Sequence, residues 1–126
     1  MIRDYIGIPF ENCDCYRLVQ LYYKNELNID IPDVVANPNQ LKLAYMEYIQ
    51  NIAKCWTTSN TPKEHDVVAM KTDIDNPKLV THFGVVVKVD GKLKILHTFK
   101  KSHSHLVDLD NIAYVNKIKG FHTWRN

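Results

Sequence analysis

The chain has 126 residues, a length typical of one domain, and we predict a single domain over residues 1–126. Its 16 Lys and Arg residues against 14 Asp and Glu residues give a formal charge of +2, and 45% of its residues are hydrophobic. This balance excludes a disordered chain and a polycationic nucleic-acid arm, so we expect no nucleic-acid partner. With only four glycines, we do not expect a phosphate-binding loop. The three cysteines and six histidines are the candidates for catalytic or metal-binding side chains.

In the first half, apolar residues recur with a helical period. The first stripe consists of Cys15, Leu18, Val19, Tyr22 and Tyr23. Asn12 or Asp14 can cap the start of this helix, which should end near Asn28. A second helix is predicted from an N-cap at Asn37 to Trp56, followed by a polar loop over residues 57–64.

The second half changes to the period of two that is typical of strands. The predicted strands are Asp66–Lys71, Val80–Val89, Lys92–Phe99 and Ile112–Ile118, with a short one at Phe121–Trp124. Helices followed by closely spaced strands predict an α+β fold, with the N-terminal helices packed on an antiparallel sheet.

Asp90-Gly91 is the strongest turn signal in the chain. A two-residue type I′ turn there fixes the register of the hairpin, and that register places His82 and His97 as diagonal neighbours on one face. Gly84, which has no side chain, leaves room beside His97. Because this face is also apolar, we expect it to pack on the helices.

Cys15 lies in the first turn of a predicted helix, where N–H groups and the macrodipole favour a thiolate. A thiolate, an imidazole that acts as base and a group that orients the imidazole form a catalytic triad. Cys15, His82 and His97 fit these three roles. The alternative is a buried cysteine and two core histidines.

The remaining thiols and imidazoles carry weaker signals. Cys13 points away from Cys15 on a helix, although a redox role for the pair stays open. Cys55 is expected in the core, and His103 and His105 in a solvated loop, while His65 and His122 have no neighbours that single them out. A zinc module is a rival interpretation, but the ligand spacing is poor, so we expect no metal or cofactor.

Several segments together resemble one family. Tyr5–Phe10 followed by Asp14–Val19 resembles the nucleophile segment of the NlpC-type cell-wall peptidases, which are papain-like cysteine enzymes. Tyr22-Tyr23 and Leu27–Pro32 are similar to the branch of the tail-assembly protein K of long-tailed phages. His82–Val87 resembles the histidine strand of the family, and Ile95–His97 resembles the strand that supplies the third polar residue.

The resemblance implies an NlpC-type fold with Cys15 as nucleophile, His82 as base and His97 as its orienter. It implies cleavage of the amide bond between D-glutamate and a diamino acid in peptidoglycan stem peptides. Asp14 and Tyr16 are then the candidates for supporting the site and its oxyanion.

Two departures from the family pattern leave a second interpretation open. Phe10 stands where the family has a Tyr that helps to hold the oxyanion, and a Gly-Gly loop before the Asp-Cys pair is missing. The alternative is therefore a weakly active or inactive component of a phage tail tip with the same fold.

The expected partners are the stem peptide and other tail-tip proteins. No apolar run of signal-peptide or membrane-spanning length is visible near Met1 or elsewhere. We therefore expect synthesis in a host cytoplasm without a signal peptide, no membrane span, and a final location at the virion tail tip.

Overall fold

A computed structural model describes residues 2–34, 41–111 and 115–125, apart from the side chains at positions 41, 42 and 45. The described helices are a 3-10 turn at Ile2–Tyr5, α1 at Cys15–Tyr22 with a π-helical turn at Tyr23–Leu27, α2 at Leu41–Cys55, and a 3-10 turn at Val115–Lys117. The strands are β1 at Trp56–Ser59, β2 at Val67–Met70, β3 at His82–Val89, β4 at Lys92–His97, β5 at His105–Asp108 and β6 at Ile118–Trp124. The strands form one antiparallel sheet in the order β1-β6-β2-β3-β4-β5, so the predicted α+β class is confirmed.

The first helix begins and ends where its sequence predicts. A side-chain oxygen of Asp14 accepts a hydrogen bond from the backbone N–H of Arg17 at 2.9 Å, which identifies Asp14 as the N-cap. At the other end, Asn28 adopts a left-handed conformation with φ of 53° and closes the π-helical turn. The apolar stripe of α1 is buried against the sheet.

Three predictions about the second half of the chain are wrong. Part of the predicted loop 57–64 is strand β1, which begins at Trp56 and pairs with β6. Within the predicted strand Ile112–Ile118, Val115–Lys117 form a 3-10 turn, and β6 begins only at Ile118. His105 belongs to β5, which pairs with β4, rather than to a solvated loop. The predicted N-cap Asn37 lies outside the described residues.

The register of the β3–β4 hairpin is confirmed. Val89 lies opposite Lys92 and Val85 opposite Leu96, while Asp90 and Gly91 have φ angles of 52° and 80°, as a type I′ turn requires. Gly84 also has the predicted role, because a Cβ added there would lie 3.2 Å from the Cβ of His97.

The helices pack on the face of the sheet opposite to the one predicted. One core cluster joins Leu18, Val19 and Tyr22 of α1 to Val85 and Leu96 of the hairpin. The second cluster lies on the other face and consists of Val68, Met70, Val86, Ile95 and Phe121. His82 lies opposite Met70 across the β2–β3 ladder, so its side chain belongs to this second face. The prediction that both histidines point toward the helical layer is therefore wrong.

The alternation of side chains suggested the wrong face, because Lys92 and Lys94 of β4 lie opposite Val89 and Val87 on the face that the helices cover. Val85 and Val87 face the helices, while Val86 and Ile95 on the other face are equally buried. Only the packing of α1 decides which face the helices cover.

Candidate functional site

Cys15 is the first residue of α1 and approaches β3 from the helical face. The backbone N–H groups of Phe83, Tyr16 and Cys15 itself lie near the thiol, and each lowers its pKa. Burial outweighs them and raises the pKa of Cys15 to about 11, with a smaller contribution from Asp14. The N–H groups at the start of α1 thus lower the pKa of Cys15, as predicted. Because burial has the larger effect, the prediction that the thiol has a low pKa is wrong.

His82 and His97 form a buried pair. The Nε2 atom of His82 lies 2.8 Å from Nδ1 of His97, so one of the two nitrogens donates and the other accepts. Burial lowers the pKa of His82 to about 4 and that of His97 to about 3, and the nearby His105 adds to both shifts. Phe99 stacks on His82 with 4.6 Å between ring centroids. At neutral pH both imidazoles are therefore uncharged.

Cys15 lines a cavity of about 260 Å³ between the helices and the sheet. Phe83 of β3 and Thr81, which precedes the strand, contribute to the lining of this cavity, and they are the two residues that flank His82. The structure thus brings the thiol to the residue after His82, while the imidazole of His82 faces the opposite side of the sheet. The two predicted histidines therefore lie together, whereas the thiol of Cys15 lies near the backbone of Phe83 on the other face of the sheet.

A third histidine lines the same cavity as Cys15. The Nε2 atom of His122 lies 2.7 Å from the hydroxyl of Tyr48, and its Nδ1 atom lies 2.9 Å from the hydroxyl of Thr58. Burial lowers the pKa of His122 to about 4. Sequence reasoning missed this residue, because the signal depends on contacts among α2, β1 and β6, which are far apart in sequence.

The two residues predicted to support the site have structural partners. Asp14 caps α1, and the hydroxyl of Tyr16 donates to the carbonyl of Pro32 while its ring packs edge-on against Phe83. Phe10 lines the Cys15 cavity with its apolar side chain. A role for Asp14 or Tyr16 in holding an oxyanion stays a prediction.

The segment that leads to Cys15 is tied to the loop before β5. Gly7 donates its N–H to the carbonyl of Ser104 at 2.8 Å, and Phe10 donates to the carbonyl of Ser102 at 2.9 Å. The buried Ser104 hydroxyl also accepts from the N–H of Ile8 at 2.8 Å. These contacts fix residues 7–10, which lead to Cys15, relative to the strand that carries His105.

Within residues 2–34, 41–111 and 115–125, no group of three or more His, Cys, Asp or Glu side chains is arranged to hold a metal ion. Cys13, Cys15 and Cys55 are free thiols. None of the helices in this part of the chain is long and apolar enough to cross a membrane.

No family model matches the chain, and no curated protein matches it. Among solved structures, the crystal structure of Ly7917 is similar over 95% of this chain, with 18% sequence identity and a TM-score of 0.48. This chain aligns with 56% of the length of that protein.

Proposed function

We propose that the chain is a phage tail-associated peptidoglycan endopeptidase that cleaves stem-peptide amide bonds with Cys15, His82 and His97. One observation carries the proposal. The thiol at the start of α1 lies near the backbone N–H of Phe83, which lowers its pKa, and Phe83 directly follows the histidine that is hydrogen-bonded to His97. The family resemblance of the nucleophile and histidine segments supplies the substrate class. The location at a tail tip, with tail proteins as partners, belongs to the same proposal.

The chemistry follows from these groups. Cys15 transfers its proton to His82, and its sulfur attacks the amide carbonyl to form a tetrahedral intermediate. The C–N bond then breaks, and His82 returns the proton to the leaving amine. Water attacks the acyl-enzyme with the help of His82, which releases the acid and restores the thiol.

The proposal requires a movement at the start of β3. His82 is the first residue of this strand and its side chain faces away from the helices, so the backbone has to rotate there to bring the ring to the thiol. The contact between His82 and His97 in the unbound protein would break in this movement, and the orienting role of His97 stays a prediction. The backbone N–H groups near Cys15 are the candidate oxyanion donors.

Digestion of purified sacculi tests the proposal. Wild-type protein should release muropeptides, and Cys15→Ala should release none, while Cys13→Ala serves as a matched control that removes a thiol two residues away. His82→Ala should reduce release as strongly as Cys15→Ala. Equal release by wild type and Cys15→Ala would exclude the thiol mechanism.

A second candidate function is a non-catalytic tail-tip component of the same fold. The specific observation in its favour is that the thiol is neutral, with a pKa of about 11, and that the imidazoles face away from it. In this case neither wild type nor variant releases muropeptides, and Cys15→Ala still assembles into tails.

A further inference from the structure

The cavity beside Cys15 is lined mainly by apolar side chains of both layers. We call it the acyl cavity, and its main apolar lining consists of Ile31, Ile52, Trp56, Val67, Val80 and Phe83. Apolar walls favour an apolar occupant because its contacts replace contacts with water.

The two charged residues at the acyl cavity each have a partner. Arg17 forms an ion pair with Asp33, which lies outside the cavity, and the carboxylate of Asp14 accepts from the backbone N–H of Arg17. The described part of the lining thus contains one cation and one anion, and the cation has a carboxylate partner. A carboxylate that entered would lose its hydration and would have to compete with Asp33 for Arg17.

The size of the cavity limits its occupant. An apolar cavity of about 150 Å³ binds benzene, so the 260 Å³ found here admits a group somewhat larger than one aromatic ring. It is smaller than the pockets of about 300 Å³ or more that hold whole drug-sized ligands. It therefore suits one side chain or short acyl group, and not an entire substrate.

One polar atom among the lining residues lacks a partner. The hydroxyl oxygen of Thr81 is buried and has no hydrogen-bond partner in the described part of the chain. Buried hydroxyl groups are almost always hydrogen-bonded in folded proteins. A rotation of the Thr81 side chain would bring this oxygen to the surface of the cavity, where a carbonyl, amide or hydroxyl on a bound group would satisfy it without introducing charge.

We propose that the acyl cavity binds the acyl side of the substrate and selects an uncharged, largely apolar group with one neutral hydrogen-bonding atom for Thr81. The inference rests on the proposed function for the role of Cys15 as the acceptor of that acyl group. Applied to stem peptides, it means that a glutamyl residue enters as its amide rather than with a free carboxylate.

Alkylation of Cys15 tests the charge preference without requiring turnover. Iodoacetamide and iodoacetate have nearly the same shape. With either reagent the thiol first loses its proton to solvent, and the thiolate sulfur then displaces iodide. The reaction is run at pH 9, and modification of each cysteine is followed by peptide mass spectrometry. The labelling rate with iodoacetamide divided by the rate with iodoacetate should be roughly tenfold larger at Cys15 than at Cys13, because Cys13 lies outside this cavity.

A second measurement tests the volume of the acyl cavity. Ala44 lines the cavity from α2, whereas Gln50 on the same helix is exposed. Ala44→Phe should slow labelling of Cys15 by N-phenylmaleimide several-fold and leave iodoacetamide labelling nearly unchanged. Gln50→Phe, the matched control, should affect neither.

The outcomes separate this inference from the proposed function. A rate ratio at Cys15 equal to that at Cys13 would overturn the charge preference, and equal effects of Ala44→Phe and Gln50→Phe would overturn the assigned cavity. If both results are as expected while sacculi stay intact, the acyl cavity stands and the stem-peptide substrate is rejected. The first measurement uses wild-type protein, so it does not depend on the folding of a variant.

Discussion

Gly84 is the position at which the structure makes its most specific prediction about stability. A Cβ at this residue would lie 2.7 Å from Cγ2 of Ile95, 2.9 Å from the carbonyl oxygen of Leu96 and 3.2 Å from Cβ of His97. Non-bonded carbon atoms prefer separations of about 3.5–4.0 Å. Ile95 can rotate, but the carbonyl of Leu96 belongs to β4, so Gly84→Ala must push the two strands apart.

Overpacking of this kind costs about 1–3 kcal/mol in the free energy of unfolding. At about 4 °C per kcal/mol for a domain of this size, the melting temperature should fall by about 4–12 °C. Because the His82–His97 hydrogen bond joins the same two strands, its 2.8 Å separation should also increase.

Gly120→Ala is the matched control for this prediction. Gly120 is also a buried glycine in a strand of the same sheet, but the nearest atom to an added Cβ is 3.5 Å away, which is an ordinary contact. Urea unfolding followed by the fluorescence of Trp56 and Trp124 would compare the two variants. Free energies of unfolding that agree within about 0.5 kcal/mol would refute the steric reasoning.

Three further predictions concern ionisation and buried hydrogen bonds. The alkylation rate of Cys15 by iodoacetamide should keep rising above pH 10, since the pKa of the thiol is about 11; a plateau near pH 8.5 would contradict this. The pKa of folded His82 is about 4 and an unfolded histidine titrates near 6.5, so the unfolded state binds more protons between these values and stability should fall as pH falls from about 6.5 to about 4. Urea unfolding at a series of pH values should show that the free energy of unfolding falls less with falling pH for His97→Gln than for wild type. An equal dependence on pH in the two proteins would count against the buried pair. Tyr48→Phe removes the partner of Nε2 in His122 and should cost about 1 kcal/mol, measured as a lower melting temperature; an unchanged melting temperature would show that this contact contributes nothing.

Local signals in the sequence determined several parts of the site. Asp14 caps a helix whose first residue is Cys15, and the Asp90-Gly91 turn fixes a register that brings His82 to His97. Each of these features depends on residues that are close in sequence or on a turn with only one favourable geometry. For that reason they could be predicted from the amino-acid sequence alone.

Only the tertiary structure decided how these pieces are arranged in space. Both faces of β3 carry apolar residues, and the packing of α1 on Val85 and Leu96 covers one of them, which leaves His82 on the other. The same packing buries the thiol of Cys15, so desolvation outweighs the helix start and raises its pKa. Burial and long-range contacts are properties of the whole fold, and no local pattern of residues encodes them.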